Sequence, residues 1–383
     1  MDNKRKIAVI TGSRGEYGYI RPILNKLKNS DLLSYYIVAT NMLLLPEFGY
    51  AINQFAEDDI EVKYKVDMSM AGYSNSSMTK SLGIFLQSLT DIVANDKPDI
   101  ILLAGDRGEQ LVGAIVGAHF NIPVAHIQAG ELSGNIDGMT RHAITKFVHI
   151  HFAANDDAFN RLLKMGEQDF RVFKTGAPQL DEFSEYEYID RQKLCYKFNI
   201  NSAEPYSLIL QHSITEESHL SEEQMMITLS AIHELKLQSV LIFPNNDAGS
   251  IGIQKAIEQI TNSKVHIARN VSREDYANLM SHADFMIGNS SSGILEAPTF
   301  KLPAINIGRR QIGRLQARNV LNVESFDKLK IIDAIKIVQQ DAFKKSIQHI
   351  SNPYGDGDSS GKIVKILSEL IIDEKLLNKQ LTY

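Results

Sequence analysis

The chain has 383 residues, 44% of them hydrophobic, which is apolar mass for two ordinary globular cores rather than one. A formal net charge of -6 at pH 7, with lysine and arginine scattered along the chain, excludes the basic stripe of a nucleic-acid binder and points to a small-molecule partner. The single cysteine, Cys195, excludes an internal disulfide and a multi-thiolate metal site, and the lack of any apolar run of about 18 residues, or of a signal h-region, leads us to expect a cytoplasmic protein with no membrane partner.

Short β-branched runs alternate with helical patterns from end to end, the signature of parallel sheets buried on both faces. The spacing predicts strands over 7–12, 33–40, 60–67, 99–105, 122–128 and 149–154, with amphipathic stretches between them. Strand-like runs restart at 206–211, 238–243, 264–268, 284–288 and 303–307. The fold class is therefore α/β, with two Rossmann-like doubly wound domains. Residues 1–178 form the first, and 206–360 the second. Between them 179–205, with its acidic, tyrosine-rich "DEFSEYEYID", has the composition of a connection. A last helical pattern runs from about Gly361 to Leu377, within 361–383. Its periodicity fits packing on either domain.

Ligands of doubly wound sheets bind beyond the carboxyl ends of the strands, and the residues there are chemically loaded. After the first strand, "TGSRGEYG" holds Arg14 and Glu16 in a small-residue turn that lacks the full dinucleotide fingerprint. After the fourth, "LLAGDRGEQ" places Asp106 and Arg107. An aspartate there suits a helix N-cap as well as a site facing a crevice. The densest stretch is "AHIQAGELSGNIDGMTRHAITK", with Gln128, Glu131, Asp137, Arg141 and His142 among glycines. Neighbouring carboxylates can have their pKa values driven apart, supplying one acid and one base. His149 and His151 alternate onto one strand face, but no third ligand has metal-site spacing, so no metal is expected.

In the second half, His212 ends one strand and Asn245 and Asp247 follow the next. "FMIGNSSSGILEAP" then sets Ser290, Ser291 and Gly293 at the start of a helical pattern, an arrangement suited to an anion. Glu296, about one turn on, offers two oxygens to a ribose diol. Arg309, Arg310 and Arg314 follow the next strand as candidates for diphosphate charge.

Seven ordered motifs, "TGSRGEYG", "LLAGDRGE", "GELSGNIDGMTRHAITK", "LQHSIT", "FPNNDAGS", "GNSSSGILE" and "INIGRRQIGR", together resemble the UDP-N-acetylglucosamine 2-epimerases, and within them the hydrolysing branch of sialic- and legionaminic-acid-type sugar biosynthesis. The resemblance implies a glycosyltransferase-B-like fold with the nucleotide sugar in a cleft between the domains. The second domain would hold the nucleotide, with Ser290, Ser291 and Arg310 on the phosphates, Glu296 on the ribose and His212 near the diphosphate. Arg14 would reach the diphosphate from the first domain. Asp106, Glu131, Asp137 and Arg141 would surround the sugar, and the final helix would pack back on the first domain. Many members carry an acid where this chain has Gln128, which is neutral and no proton-transfer base. That shifts the roles toward Asp106 and Glu131, with Asp137 orienting or acting as second acid.

The implied reaction converts UDP-N-acetylglucosamine to UDP and N-acetylmannosamine through a 2-acetamidoglucal, without cofactor or metal. UDP-N,N'-diacetylbacillosamine or a GDP-linked relative is the alternative substrate. A glycosyltransferase, or a silent nucleotide-sugar binder, is the alternative of another class. The family also implies a homodimer or homotetramer, in keeping with the general prior for symmetric assembly.

Overall fold

The computed structural model describes residues 4–46, 50–70, 75–132, 136–243, 249–260, 264–269 and 271–383. The apolar runs read from the sequence become strands buried on both faces. In the first sheet these are β1 (Arg5–Thr11), β2 (Leu33–Thr40), β3 (Tyr64–Val66), β4 (Ile100–Ala104), β5 (Val124–Ile127), β6 (Ile150–Ala153) and β7 (Val172–Lys174). They lie in the order β3-β2-β1-β4-β5-β6-β7, every pairing parallel. The second sheet holds β8 (Tyr206–Leu210), β9 (Gln238–Ile242), β10 (Val265–Ala268), β11 (Phe285–Gly288), β12 (Ala304–Ile307) and β13 (Val320–Val323). Its order, β10-β9-β8-β11-β12-β13, repeats the first, again all parallel. In each sheet the direction of winding reverses once, at β1/β4 and at β8/β11, the switch points where such sheets open a crevice.

Two strands, β7 and β13, were not legible as apolar runs. Both are edge strands, and Lys174 and Asn322 sit where one side needs no burial.

The chain divides into one unit of residues 1–182 and 354–383 and another of 183–353, which moves the boundaries from those read in composition. The stretch 179–205 is not a free connection. Asp190 caps the helix Arg191–Lys197 by accepting from Gln192 N, and Leu194, Cys195 and Ile200 join Tyr206 and Leu208 in the second unit's core. Residues 354–360 go with the first unit because their backbone is held there. Ala177 N donates to Tyr354 O at 2.6 Å, and the Asp181 carboxylate accepts from Ser359 N and Ser360 N at 2.9 and 2.6 Å.

The last helical pattern breaks into two helices, Ser359–Glu369 and Glu374–Leu377, the second started by Asp373, whose side chain accepts from Leu376 N. Ile363, Leu367 and Leu376 pack in one core with Ile20, Leu24 and Ile37 of the first unit. Polar staples finish the job. Arg171, fully buried, donates to Leu376 O and Lys375 O, and Lys379 donates to Thr145 O and Val148 O at the carboxyl end of the helix Ile136–Phe147. Among the described residues no helix is long and apolar enough to cross a membrane.

Candidate active site

At the first switch point, Gly105 turns the chain out of β4 with φ +89, a left-handed conformation that favours glycine. Asp106 follows. It is not a helix cap: the N-cap of the helix Gly108–His119 is Arg107, with no side-chain cap bond. Its carboxylate instead accepts from Arg141 Nη2. Arg141, whose side chain is only 3% exposed, also donates through Nη1 to Gln128 O at 2.5 Å. One guanidinium therefore ties together the carboxyl ends of β4 and β5, and its second donor is satisfied by a carbonyl that Gln128 presents from a φ of +60. Beneath them, His126 Nε2 donates to Gly105 O at 2.6 Å. Burial, with Arg141 adding to it, pushes the His126 imidazole down to about 3, so it is neutral.

Glu131 is buried and accepts from Asn155 Nδ2 at 2.7 Å. Asn155 is itself fixed, because its Oδ1 caps the helix Asp156–Lys164 through Ala158 N at 2.8 Å. Arg161 Nη1 donates to Gly130 O at 2.7 Å and holds the turn before Glu131. Glu131 thus sits on a braced loop after β5, its carboxylate held by the residue just past β6. Arg14 is exposed in the first turn of the helix Arg14–Lys28, behind the N-cap Ser13. Arg107 Nε lies 3.2 Å from Glu109 Oε1. Asp137 falls in the first turn of the helix that carries Arg141, and its side chain lies outside the described residues, as do Asn245 and Asp247. His142 is exposed.

The second switch point is built around Asn289, which is fully buried. Its Oδ1 accepts from His212 N at 2.7 Å, its Nδ2 donates to His212 O at 2.8 Å, and its own carbonyl accepts from Arg310 Nη1 and Gln311 Nε2 at 3.2 and 2.9 Å. The reciprocal pair locks the ends of β8 and β11 in register. Gly288 makes this possible: at φ +141, a Cβ there would lie 1.9 Å from Leu210 O. Burial and the nearby Arg310 push the His212 imidazole down to about 3, so it presents a neutral ring.

The serines open a single helical turn, Ser292–Leu295, after which the chain passes through Glu296 into a 3-10 segment, Ala297–Phe300. Ser291 is the N-cap, and Ser290 Oγ accepts from Ser292 N at 3.3 Å. Gly293 is needed by the sheet beneath, where its Cβ would press on the Ala304 side chain at 3.3 Å. Glu296 already has protein partners, with Arg273 Nη1 at 2.8 Å from Oε1 and Ser292 Oγ donating to Oε2. Arg309 is drawn off to Glu217, which leaves Arg310 as the arginine facing Asn289.

Sequence reading missed Asn289, Asn155, His126, Glu109, Ser292 and Arg273. Asn289 stood in plain view beside the serines, and a polar residue at the first position after a buried strand was the available signal. The histidine pair serves structure. His149 Nδ1 accepts from Val124 N at 3.1 Å and His151 Nε2 pairs with buried Glu167 at 2.9 Å. Among the described residues no group of three or more potential ligands could hold a metal ion.

The family model described as UDP-N-acetylglucosamine 2-epimerase matches residues 25–368. The chain is 34% identical to the UDP-N,N'-diacetylbacillosamine 2-epimerase (hydrolyzing) of Legionella pneumophila, covering 98% of each. It is 31% identical to the UDP-N-acetylglucosamine 2-epimerase of Neisseria meningitidis serogroup B over 87% of each, and 31% identical to the GDP/UDP-N,N'-diacetylbacillosamine 2-epimerase (hydrolyzing) of Campylobacter jejuni over 98% of each. Among solved structures, the Neisseria meningitidis UDP-GlcNAc 2-epimerase bound to UDP-GlcNAc matches with a TM-score of 0.81 at 19% identity, covering 94% of this chain and 99% of that one. The Methanocaldococcus jannaschii UDP-GlcNAc 2-epimerase in complex with UDP-GlcNAc and UDP matches at 0.75 and 21%, covering 95% and 99%. The two α/β units with parallel sheets have a glycosyltransferase-B-like fold.

Proposed function

The chain belongs to the UDP-N-acetylglucosamine 2-epimerase family, and from that premise we propose that it is a hydrolysing 2-epimerase of a UDP-linked 2-acetamido sugar, with UDP-N,N'-diacetylbacillosamine preferred over UDP-N-acetylglucosamine. The observation that carries the reaction is the braced carboxylate pair at the ends of β4 and β5, Asp106 on Arg141 and Glu131 on Asn155. The preference for the diacetylated sugar rests on the relatives: two of them, in Legionella and Campylobacter, carry that substrate in their names and align over 98% of this chain.

In this reading a carboxylate removes the C2 proton as the C1–O bond breaks, and the electron pair of the C2–H bond forms the double bond of a 2-acetamidoglucal while UDP leaves. Water then adds its hydroxyl at C1, and a proton returns to the opposite face of C2, which releases the free 2-epimer. C2 is a weak carbon acid, so stabilising the departing diphosphate is the largest contribution. Ser290, Ser291 and Arg310, with Arg14, are assigned to that charge, and neutral His212 donates to it. Asp106 and Glu131 are assigned to proton transfer, worth about two to four orders of magnitude, and Gln128, Arg107, Asp137, Asn245 and Asp247 to binding or orienting the substrate. Glu296 is assigned to the ribose, since each of its oxygens has one protein donor and keeps a second acceptor site.

The test is incubation with each nucleotide sugar, UDP-linked and GDP-linked, in deuterated water, followed by NMR. Free UDP together with a 2-epimerised sugar deuterated at C2 is expected, fastest from the diacetylated substrate. Release of UDP without deuterium at C2 would mean transfer or plain hydrolysis, and tight UDP binding without any release would mean a binding protein. Either defeats the proposal.

A further inference from the structure

Two carboxyl groups not used above are buried at the first switch point, against the same residue. Gly12, the first residue after β1, donates its N–H to Glu16 Oε2 at 2.6 Å. A Cβ on Gly12 would lie 2.2 Å from Glu109 Oε1, so the second carboxyl also rests against that glycine. Glu16 is 3% exposed and Glu109 1%.

The surrounding groups come from every element that packs here. Arg107 Nε and Asn41 Nδ2 each lie 3.2 Å from Glu109 Oε1. Gln110 accepts from Ala104 N at 3.1 Å and donates to Ile10 O at 3.3 Å, and its side-chain amide also favours the charged form of Glu16. Tyr19 and the Glu16 stem flank Gly105. Arg107 is thus the single cation pairing with the two acids among the described residues, and it pairs with Glu109. Glu16 Oε1 is buried without a hydrogen-bond partner among the described residues. Two ionised carboxylates sharing one partly exposed arginine in such a site are strongly disfavoured.

We propose that Glu16 carries a proton beside the Glu109 carboxyl, and that these two buried acids against Gly12 position the two loops of the switch point. The protonated member fixes the Gly12 backbone, which leads into Ser13 and Arg14. Glu109 fixes Arg107, next to Asp106. Burial first, and the neighbouring Glu109 second, hold the Glu16 carboxyl well above the usual carboxylate range, against the opposing pull of Arg107 and the Gly12 N–H. Both residues act through the loops, as positioning residues.

The proposal takes the first switch point to be the catalytic end, but its first test needs no turnover. The infrared spectrum of the unliganded protein at neutral pH should show the carbonyl band of a buried protonated carboxyl, absent from Glu16→Gln. In Glu109→Gln, where the like charge is gone, the band should titrate away at lower pH. A wild-type spectrum with no such band overturns the pair, as does a band that Glu16→Gln leaves in place. A protein inactive on every nucleotide sugar but carrying the band sinks the reading of the reaction and leaves the pair standing.

Activity supplies the second test. Each single amide variant leaves one ionisable carboxyl beside Arg107 and should lower kcat/KM about threefold, whereas Glu16→Gln/Glu109→Gln should lower it about a hundredfold, well beyond the product of the two. The alkaline limb that Glu16 ionisation gives the wild-type kcat/KM profile should vanish in Glu16→Gln. A double variant equal to the product of the singles, or an unmoved alkaline limb, refutes the positioning role.

Discussion

The two units share one strand order and differ in what they place beyond the strands. The first switch point carries Asp106, Glu109, Glu16 and, one strand over, Glu131, with Arg141 and Arg107 as counter-charges. The second carries hydroxyls, a neutral histidine and an asparagine hub, with Arg310 turned toward it. On the proposed function, a scaffold used twice would carry proton-handling groups at one crossing and anion-binding groups at the other. The strand ends, rather than the sheets, carry the division of labour.

Substitutions that touch one crossing and spare the other test that division. Glu131→Gln should show the largest effect, lowering deuterium incorporation at C2 by about 10²–10⁴-fold while the affinity for UDP, measured by calorimetry, holds. Equal loss of both would break the contrast. Arg141→Met strands the Asp106 carboxylate and unties β4 from β5. It should destabilise the protein by about 3 kcal/mol, read in urea unfolding, because one partner of a mostly buried pair is left alone. Gly288→Ala forces a side chain into Leu210 O and should cost about 3 kcal/mol with a comparable loss of UDP affinity, since it displaces Asn289. Arg310→Ala is gentler. It should weaken UDP binding by about 10–100-fold, the worth of one charge-assisted contact, and leave the washed-in C2 isotope content per turnover unchanged.

The smallest effect sits away from both crossings. Burial alone would raise the Glu167 carboxyl, but His151 and Lys379 hold it at about 2 against an ordinary 4.5. A lowered carboxylate contributes stability that is present above its unfolded value and disappears as the pH falls through the folded one. Glu167→Gln should therefore lose about 2 kcal/mol at neutral pH and show a flatter decline between about pH 4.5 and 2, followed by circular dichroism.

Most of the strands were legible because parallel strands covered on both faces leave long apolar runs, and β1, β2, β4 and β8 announce themselves in that way. The edge strands β7 and β13 did not, since an open side permits Lys174 and Asn322. The acids at the strand ends were legible by position. Their partners were not: Arg141 and Asp106 are 35 residues apart in sequence, and no local pattern says that a guanidinium will bridge them. The stretch at 290–296 was read as the start of a helical pattern, and it is one: a single turn that passes into a 3-10 segment ended by the left-handed Lys301. The pull of Arg273 on Glu296, 23 residues away, was equally invisible.

The first unit is interrupted: its chain leaves at Glu182, the whole second unit is spelled out, and only then do residues 354–383 return. Arg171, Thr145 and Val148 wait for carbonyls and an ammonium that leave the ribosome only after the second unit. The inserted unit is continuous and can reach its native state first, whereas closing the outer one means bringing ends about 170 residues apart together, an entropic toll that grows only slowly with length. During synthesis, then, a nascent chain stalled near Pro353 would lack the Ile363 and Leu367 that pack in one core with Ile20 and Leu24, leaving apolar surface open to a chaperone.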